Sequence, residues 1–345
     1  MNAELLKHEK RFDLDTYLDQ FEYTMSGDNA VLDCPTCDGV KKLYVLTKDK
    51  DLQTRRGSWI CYKCNDHEGG SGRSCLSLIE WMEDLDFVDA IKRLAEGGTS
   101  ADSDFVASVE KLMAAFETTD DEEPIPTIAL PDEFQLVDPG HVPPYILERG
   151  ISVERAQRFR LGYCRRGKYK NRLVAPVHFN GACAGFQARW MAAVPPEGVS
   201  KTKHAKGAKM SRLLYNYDVA RHAERIVLVE DPWSAIKIGR SGVCSFGTSL
   251  SASQLELLMR SNAREVTIIY DLDPNAAEGA SGYEKSLAIA ERLSSVVPTR
   301  AVKMPDERDP DEHTLASLRN LIARTPLLTA NAAWAARVKR SLARF

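Results

Sequence analysis

Ile226-Val227-Leu228-Val229-Glu230 and Val266-Thr267-Ile268-Ile269-Tyr270-Asp271-Leu272-Asp273 decide how the second half of this chain folds. Each is a short, β-branched apolar run closed by an acid, the pattern of a buried strand that meets solvent at its end. A third station, Asp309-Pro310-Asp311, follows residues 300–304, which also have strand character. Helix-like stretches separate the three runs, so they read as parallel strands of one α/β sheet. In such a sheet the carboxyl ends of the strands share one edge, where ligands bind. Glu230, Asp271, Asp273, Asp309 and Asp311 therefore converge. Five acids on one edge repel one another unless a hard cation sits among them, and oxygen-only ligation suits Mg²⁺ or Mn²⁺. The chemistry expected there is phosphoryl transfer.

A second metal is written into the first hundred residues. Cys34-Pro35-Thr36-Cys37 and Cys61-Tyr62-Lys63-Cys64 are two Cys-x-x-Cys pairs. Between them lie the strand-like stretches Lys42-Leu43-Tyr44-Val45-Leu46 and Ser58-Trp59-Ile60. Two such knuckles joined by strands predict a zinc ribbon holding one structural Zn²⁺ on four thiolates. His67 stands near the second knuckle, but Cys64 already completes the set, so His67 reads as a surface residue. Trp59, Tyr62 and Lys63 beside the ligands could stack on unpaired bases and meet phosphates. Those aromatics would serve equally to cover the metal. Cys75, Cys164, Cys183 and Cys244 lack ligand spacing and read as small apolar residues; His178, His204 and His222 read as incidental.

Composition bounds the rest. The chain has 345 residues, enough for two or three domains, and no apolar run approaches a membrane span. The charged N-terminus lacks a secretory signal, and paired cysteines point to a reducing compartment, so a cytoplasmic protein is expected. The net charge of −3 hides an asymmetry. Residues 141–225 hold 17 Lys/Arg against 5 Asp/Glu, whereas residues 1–100 hold 13 against 19. A basic segment beside an acidic metal edge suits an enzyme that handles a polyanion.

The organisation that follows is α/β and α+β multidomain. Residues 1–98 form the zinc-ribbon domain, with helical faces around Leu78, Ile79, Met82 and around Phe87, Ile91, Leu94. Residues 99–130 read as a linker with one short amphipathic helix and an acidic, proline-containing tail. Residues 131–223 are the basic, mixed α+β part, with a helix ending at Gly150, Ser152 capping the next, and a turn at Asn180-Gly181. Residues 224–312 hold the parallel sheet, and residues 313–345 a short helical C-terminus with Leu315, Leu318, Leu321 and Ile322 on one face.

Val229-Glu230-Asp231, Phe246-Gly247-Thr248-Ser249, Asp271-Leu272-Asp273 and Asp309-Pro310-Asp311 resemble, in order and spacing, the Toprim βαβ sheet of bacterial and phage DNA primases. That family has Glu-Gly followed by Asp three residues on; here Asp231 replaces the Gly and Ser234 stands at the Asp position, and Ser-Ala-Ile-Lys looks like a phage variant. The Arg-Gly-Ile-Ser helix, the Asn-Arg-Leu-x-x-Pro and Gly-Phe-x-x-Arg strands, and a degraded lysine loop within residues 203–216 extend the resemblance over the basic part. It implies a stand-alone, phage-type primase: a DNA-directed RNA polymerase that makes short primers from ribonucleoside triphosphates on single-stranded DNA. Glu230, Asp271 and Asp273 would be catalytic, and all five acids would hold two or more Mg²⁺ or Mn²⁺, with Glu230 as ligand or base. Arg172, Arg189, Lys206 and Lys209 would neutralise triphosphate and template. About 34 residues (345 minus 311) after the last acid are too few for a helicase-binding domain, so the helicase expected as partner would be separate. A Toprim nuclease or a non-catalytic DNA-binding adaptor is the alternative.

Overall fold

The computed structural model describes residues 3–37, 39–50, 54–64, 70–96, 100–114, 124–192, 194–272 and 281–328. Two compact units divide the chain, one of residues 3–111 and one of residues 112–345 together with residues 1–2.

The N-terminal unit is built on a five-stranded antiparallel sheet in sequential order: β1 (Tyr23–Ser26), β2 (Asn29–Leu32), β3 (Leu43–Leu46), β4 (Ser58–Cys61) and β5 (Ser71–Arg73). Only β3 and β4 were legible as strands. β1 is mostly exposed and shows no inward-outward alternation, and β5 has glycine at its centre. Gly72 is there because a Cβ would come within 2.3 Å of the Trp59 indole and of Ser77 Oγ. Helices Cys75–Glu83 and Phe87–Ala95 pack Leu78, Ile79, Phe87, Ile91 and Leu94 inward, as their periodicity predicts. Ser74 and Asp86 cap them with side-chain oxygens on backbone amides. Glu9, from helix Ala3–Arg11, accepts the Cys75 and Leu76 amides at 2.8 and 2.7 Å, the free donors of that helix's first turn.

Helix Ser100–Ala114 buries Phe105, Val109 and Leu112, and the boundary between the units falls within its last turn. The acidic run 120–123 lies outside the described residues. Residues 124–130 are not a tether, contrary to the expected linker. The Ile128 amide donates to Cys183 O at 2.7 Å, and Ile125, Ile128 and Leu130 pack against core clusters of the second unit.

The second unit joins two sheets. The first is antiparallel: β6 (Phe134–Leu136), β7 (Gly162–Cys164), β8 (Arg172–Phe179), β9 (Ala182–Trp190) and β10 (Thr202–His204), in the order β10-β9-β8-β7-β6. Asn180 and Gly181, with φ of 50° and 85°, make the tight turn expected between β8 and β9. Ser152 Oγ accepts the Arg155 amide and caps helix Val153–Arg158, also as expected. The second sheet is fully parallel: β11 (Arg225–Val229), β12 (Gly242–Cys244), β13 (Glu265–Ile269) and β14 (Thr299–Ala301), in the order β12-β11-β13-β14. β14 is shorter than the expected 300–304, and Val302 and Met304 instead enter the core shared by the two sheets. Helices Pro232–Ile238, Ala252–Arg260 and Gly282–Leu293 provide the crossovers. Leu318 of helix Leu315–Arg324 is buried, with Leu321 and Ile322 packed beside it. The fold class read from the sequence holds: a four-cysteine antiparallel module, a mixed basic part and a fully parallel sheet with helical crossovers. Among the described residues no helix is long and apolar enough to cross a membrane.

Candidate metal centres and their surroundings

Cys34, Cys37, Cys61 and Cys64 bring their sulfurs within 4.8 Å of one another. Cys34–Cys64 and Cys37–Cys61 stand 3.8 and 3.6 Å apart. Four thiolates around Zn²⁺ at ~2.3 Å have sulfurs ~3.8 Å apart, so the residues present fit a tetrahedral zinc. His67 lies outside the described residues. Cys75, Cys164 and Cys244 are buried, as expected of small apolar residues, and Cys183 is half-buried.

The three expected template readers separate. Trp59 is 6 % exposed, donates its Nε1 to Ser77 Oγ at 3.2 Å and packs on Trp81. It is a core residue, which corrects its assignment to base stacking. Tyr62 is 60 % exposed and meets Tyr44 in a T-shaped contact with ring centroids 5.1 Å apart. Lys63 is exposed, with its ammonium on Cys37 O at 2.6 Å.

At the parallel sheet the acids do gather at the carboxyl ends. Glu230 directly follows β11, Asp271 is the second residue after β13, and Asp309 caps the short turn Pro310–Glu312, which carries Asp311. Asp273 lies outside the described residues. Burial pushes the Asp271 carboxyl up to about 9, helped by the charges of Asp309, Glu230 and Asp231. Burial likewise pushes Asp311 up to about 6, against the pull of Arg149. One carboxylate oxygen of Asp271 and one of Asp311 are buried without a hydrogen-bond partner. Buried, mutually repelling, unpartnered oxygens are what a hard cation would satisfy, so these residues fit a divalent ion. Among the described residues only the cysteines place three or more ligand atoms within 4.8 Å of one another; no three of the acids do.

A network that the sequence reading missed surrounds this edge. Arg149 is paired with Asp311, and its Nη1 donates to Tyr145 Oη at 3.1 Å. Arg189 Nε donates to the same hydroxyl at 3.2 Å, and its Nη1 meets Asp231 Oδ2 at 3.3 Å. Asp231 also accepts the Ser234 amide at 2.8 Å and so caps helix Pro232–Ile238. Ser234 itself is 1 % exposed, with its hydroxyl turned into the core unpartnered. The signal available in the sequence was Asp231, a second acid directly after a strand-end Glu. Arg149 was visible only as the first residue of the Arg-Gly-Ile-Ser stretch, with no sign of its partner, and nothing local marked Tyr145.

The remaining predicted cations differ in fate. Arg189 joins the edge. Arg172 does not: it is 1 % exposed, with donors on Ala188 O, Lys201 O and Ser200 O and its guanidinium over Trp190. It locks β8 to the turn before β10, which corrects its assignment to phosphate binding. Lys206 is exposed and Lys209 half-buried, on the loop after β10. Lys285 was not singled out, yet its ammonium donates to Thr248 Oγ1 at 3.0 Å. Thr248 belongs to the Gly-Thr-Ser loop, where Phe246 and Gly247 have φ of 61° and 150° and the Gly247 amide donates to Glu230 O.

No family model matches the chain. Among curated proteins it is similar to a DNA primase of Synechococcus elongatus, 31% identical over 196 residues, covering 52% of this chain and 27% of the relative. It is also similar to a DNA primase of Deinococcus radiodurans, 24% identical over 316 residues, covering 78% of this chain and 52% of the relative. Among solved structures, the zinc-binding and RNA polymerase domains of the Aquifex aeolicus primase align with a TM-score of 0.46 at 19% identity. That alignment covers 95% of this chain and 87% of the other. The chain thus spans about half, or less, of the length of these two curated relatives, and it is to DNA primases that its sequence is similar.

Proposed function

We propose that the chain is a DNA primase, a DNA-directed RNA polymerase that starts short RNA primers on single-stranded DNA. The observation that carries this reading is the acid edge, where Asp271 and Asp311 each keep a buried, unpartnered oxygen. Its similarity to curated DNA primases over much of its length supports the same conclusion.

Divalent ions held by Asp271, Asp309 and Asp311, with Glu230 and Asp273, would acidify the attacking 3′-hydroxyl and stabilise charge on the leaving pyrophosphate. Arg149 and Arg189, tied together through the Tyr145 hydroxyl, hold Asp311 and Asp231 in place at this edge. Lys285 holds the Gly-Thr-Ser loop against the same edge through Thr248. Lys206, Lys209 and the other cations of residues 141–225 supply the field that retains template and triphosphates. In the N-terminal unit a zinc-held sheet presents Tyr62 and Lys63, suited to a base and a phosphate of the template. The phage-type and cytoplasmic readings, and a separate replicative helicase as partner, remain part of this proposal.

Incubation of the full chain with single-stranded DNA, labelled ribonucleotides and Mg²⁺ tests the reading. New RNA that disappears in Asp271→Asn, while DNA binding survives, is the expected result. Shortened DNA strands would identify a nuclease instead, and neither product would leave a binding adaptor.

A further inference from the structure

A cavity of about 300 Å³ lies in the second unit, with Arg158, Phe159, Arg160, His178, Asn216 and Asp218 among its lining residues. None of Glu230, Asp271, Asp309 and Asp311 is among its lining residues. The Asn216 amide donates to the carbonyls of Gly239 and Gly242, at 3.4 and 2.8 Å, where the chain enters β12. The acids stand where the strands end.

The wall chemistry is that of an anion site. Among the described residues the Arg158 guanidinium has no carboxylate within ion-pair distance. Arg160 Nη1 faces His178 Nε2 at 3.3 Å rather than an acid. Burial, then the Arg160 charge, holds that imidazole below its usual range, so at neutral pH it accepts from Arg160 and adds no charge. The one acid on the wall, Asp218, is committed to the Asn180 and Gly181 amides at 2.9 and 2.8 Å. Phe159, stacked on Tyr215 with centroids 6.2 Å apart, makes an apolar side. Two arginines without acid partners, beside an apolar wall, match a phosphate carried on a sugar, and the volume is on the scale of small-ligand sites.

We propose that this cavity binds a phosphate with its adjoining sugar, through Arg158 and Arg160, as a site separate from the acid edge. The group could come from single-stranded DNA or from a free nucleotide, and one experiment separates the sources. In the full chain, Arg158→Ala/Arg160→Ala is compared with Arg319→Ala/Arg324→Ala, which removes equal charge from the exposed side of helix Leu315–Arg324. Equilibrium binding of an oligodeoxynucleotide is measured across a salt series, and binding of GTP in parallel. If DNA is the occupant, the cavity pair loses about ten-fold in affinity. Its salt slope then becomes shallower by about 1.4, for two contacts at ~0.7 each. If a nucleotide is the occupant, GTP affinity falls while the DNA slope does not. A cavity pair that matches the control in both assays overturns the proposal. An Arg158→Lys/Arg160→Lys protein, which keeps charge but not bidentate geometry, should fall between wild type and the alanine pair.

Discussion

Arg189 of β9 and Asp231, at the cap of the helix after β11, face each other at 3.3 Å and join the antiparallel sheet to the acid edge. Their side chains are only 9 % and 17 % exposed. A pair so enclosed contributes little net stability while intact, but losing one partner strands the other charge away from water. Tyr145 extends the link, because its hydroxyl accepts from both Arg189 and Arg149, and Arg149 holds Asp311.

Asp231→Ala should therefore cost about 2 kcal/mol, combining a lost helix cap with a partly stranded guanidinium. Asp231→Asn keeps an oxygen for the Ser234 amide and should cost less. Urea unfolding of the second unit measures both. Equal losses for the two variants would show that the cap contributes nothing and that the loss comes from the charge facing Arg189.

Asp271 and Asp311 make the Mg²⁺-free protein sensitive to base. Their folded values, about 9 and about 6, lie above the unfolded carboxylate value of 3.8. A raised acid binds its proton more tightly in the folded state, so its stabilising contribution is full below pH 3.8. That contribution is lost as pH rises through the folded value. Thermal unfolding without divalent ions should show stability from these two groups falling from about pH 4 to pH 9. Saturating Mg²⁺ should flatten the decline, because a bound cation favours the ionised form. In Asp271→Asn the part of the slope above pH 6 should vanish; its persistence would place the titrating group elsewhere.

What the sequence made legible depended on whether its signal was local. β11 and β13 were readable because a strand buried on both faces is a continuous β-branched run, and Val229 and Ile269 sit at the ends of such runs. The cysteine knuckles were readable because metal geometry fixes their spacing. Arg172 and Trp59 were misassigned for the opposite reason. Their partners, Ala188 O, Lys201 O and Ser77 Oγ, are tertiary neighbours, and an arginine bound to carbonyls looks no different in sequence from one bound to phosphate. Arg149 and Asp311 are 162 positions apart, so no window could join them. Asp231 was visible as a departure from the family pattern, but its partner Arg189 became apparent only when β9 was set beside that edge.

The zinc site carries a separate prediction. Cys61 ends β4 and is fully buried beside three other thiols, so Cys61→Ser removes a ligand from inside the sheet. The purified protein should contain one zinc per chain, and the variant none. Residues 3–111 should then lose protection from proteolysis while the second unit keeps its cooperative unfolding. A variant that retains zinc and an intact first unit would remove Cys61 from the ligand set.

The division of the chain into two units determines how a truncated protein should behave. A fragment beginning at Leu130 would discard the Ile128 amide that donates to Cys183 O and the apolar contacts of Ile125 and Ile128. One beginning at Pro124 keeps them, and should unfold at a higher temperature than the Leu130 fragment. The Pro124 fragment retains all five acids and the basic segment, so it should extend a pre-made dinucleotide on single-stranded DNA. It should lose de novo initiation and the choice of start sites, because the tethered zinc module no longer concentrates template beside the first two nucleotides. Supplying residues 1–111 in trans should restore little, since free diffusion does not match the local concentration of a tether. If the Pro124 fragment initiates at the same template positions as the full chain, site choice belongs to the second unit and the zinc module serves another purpose.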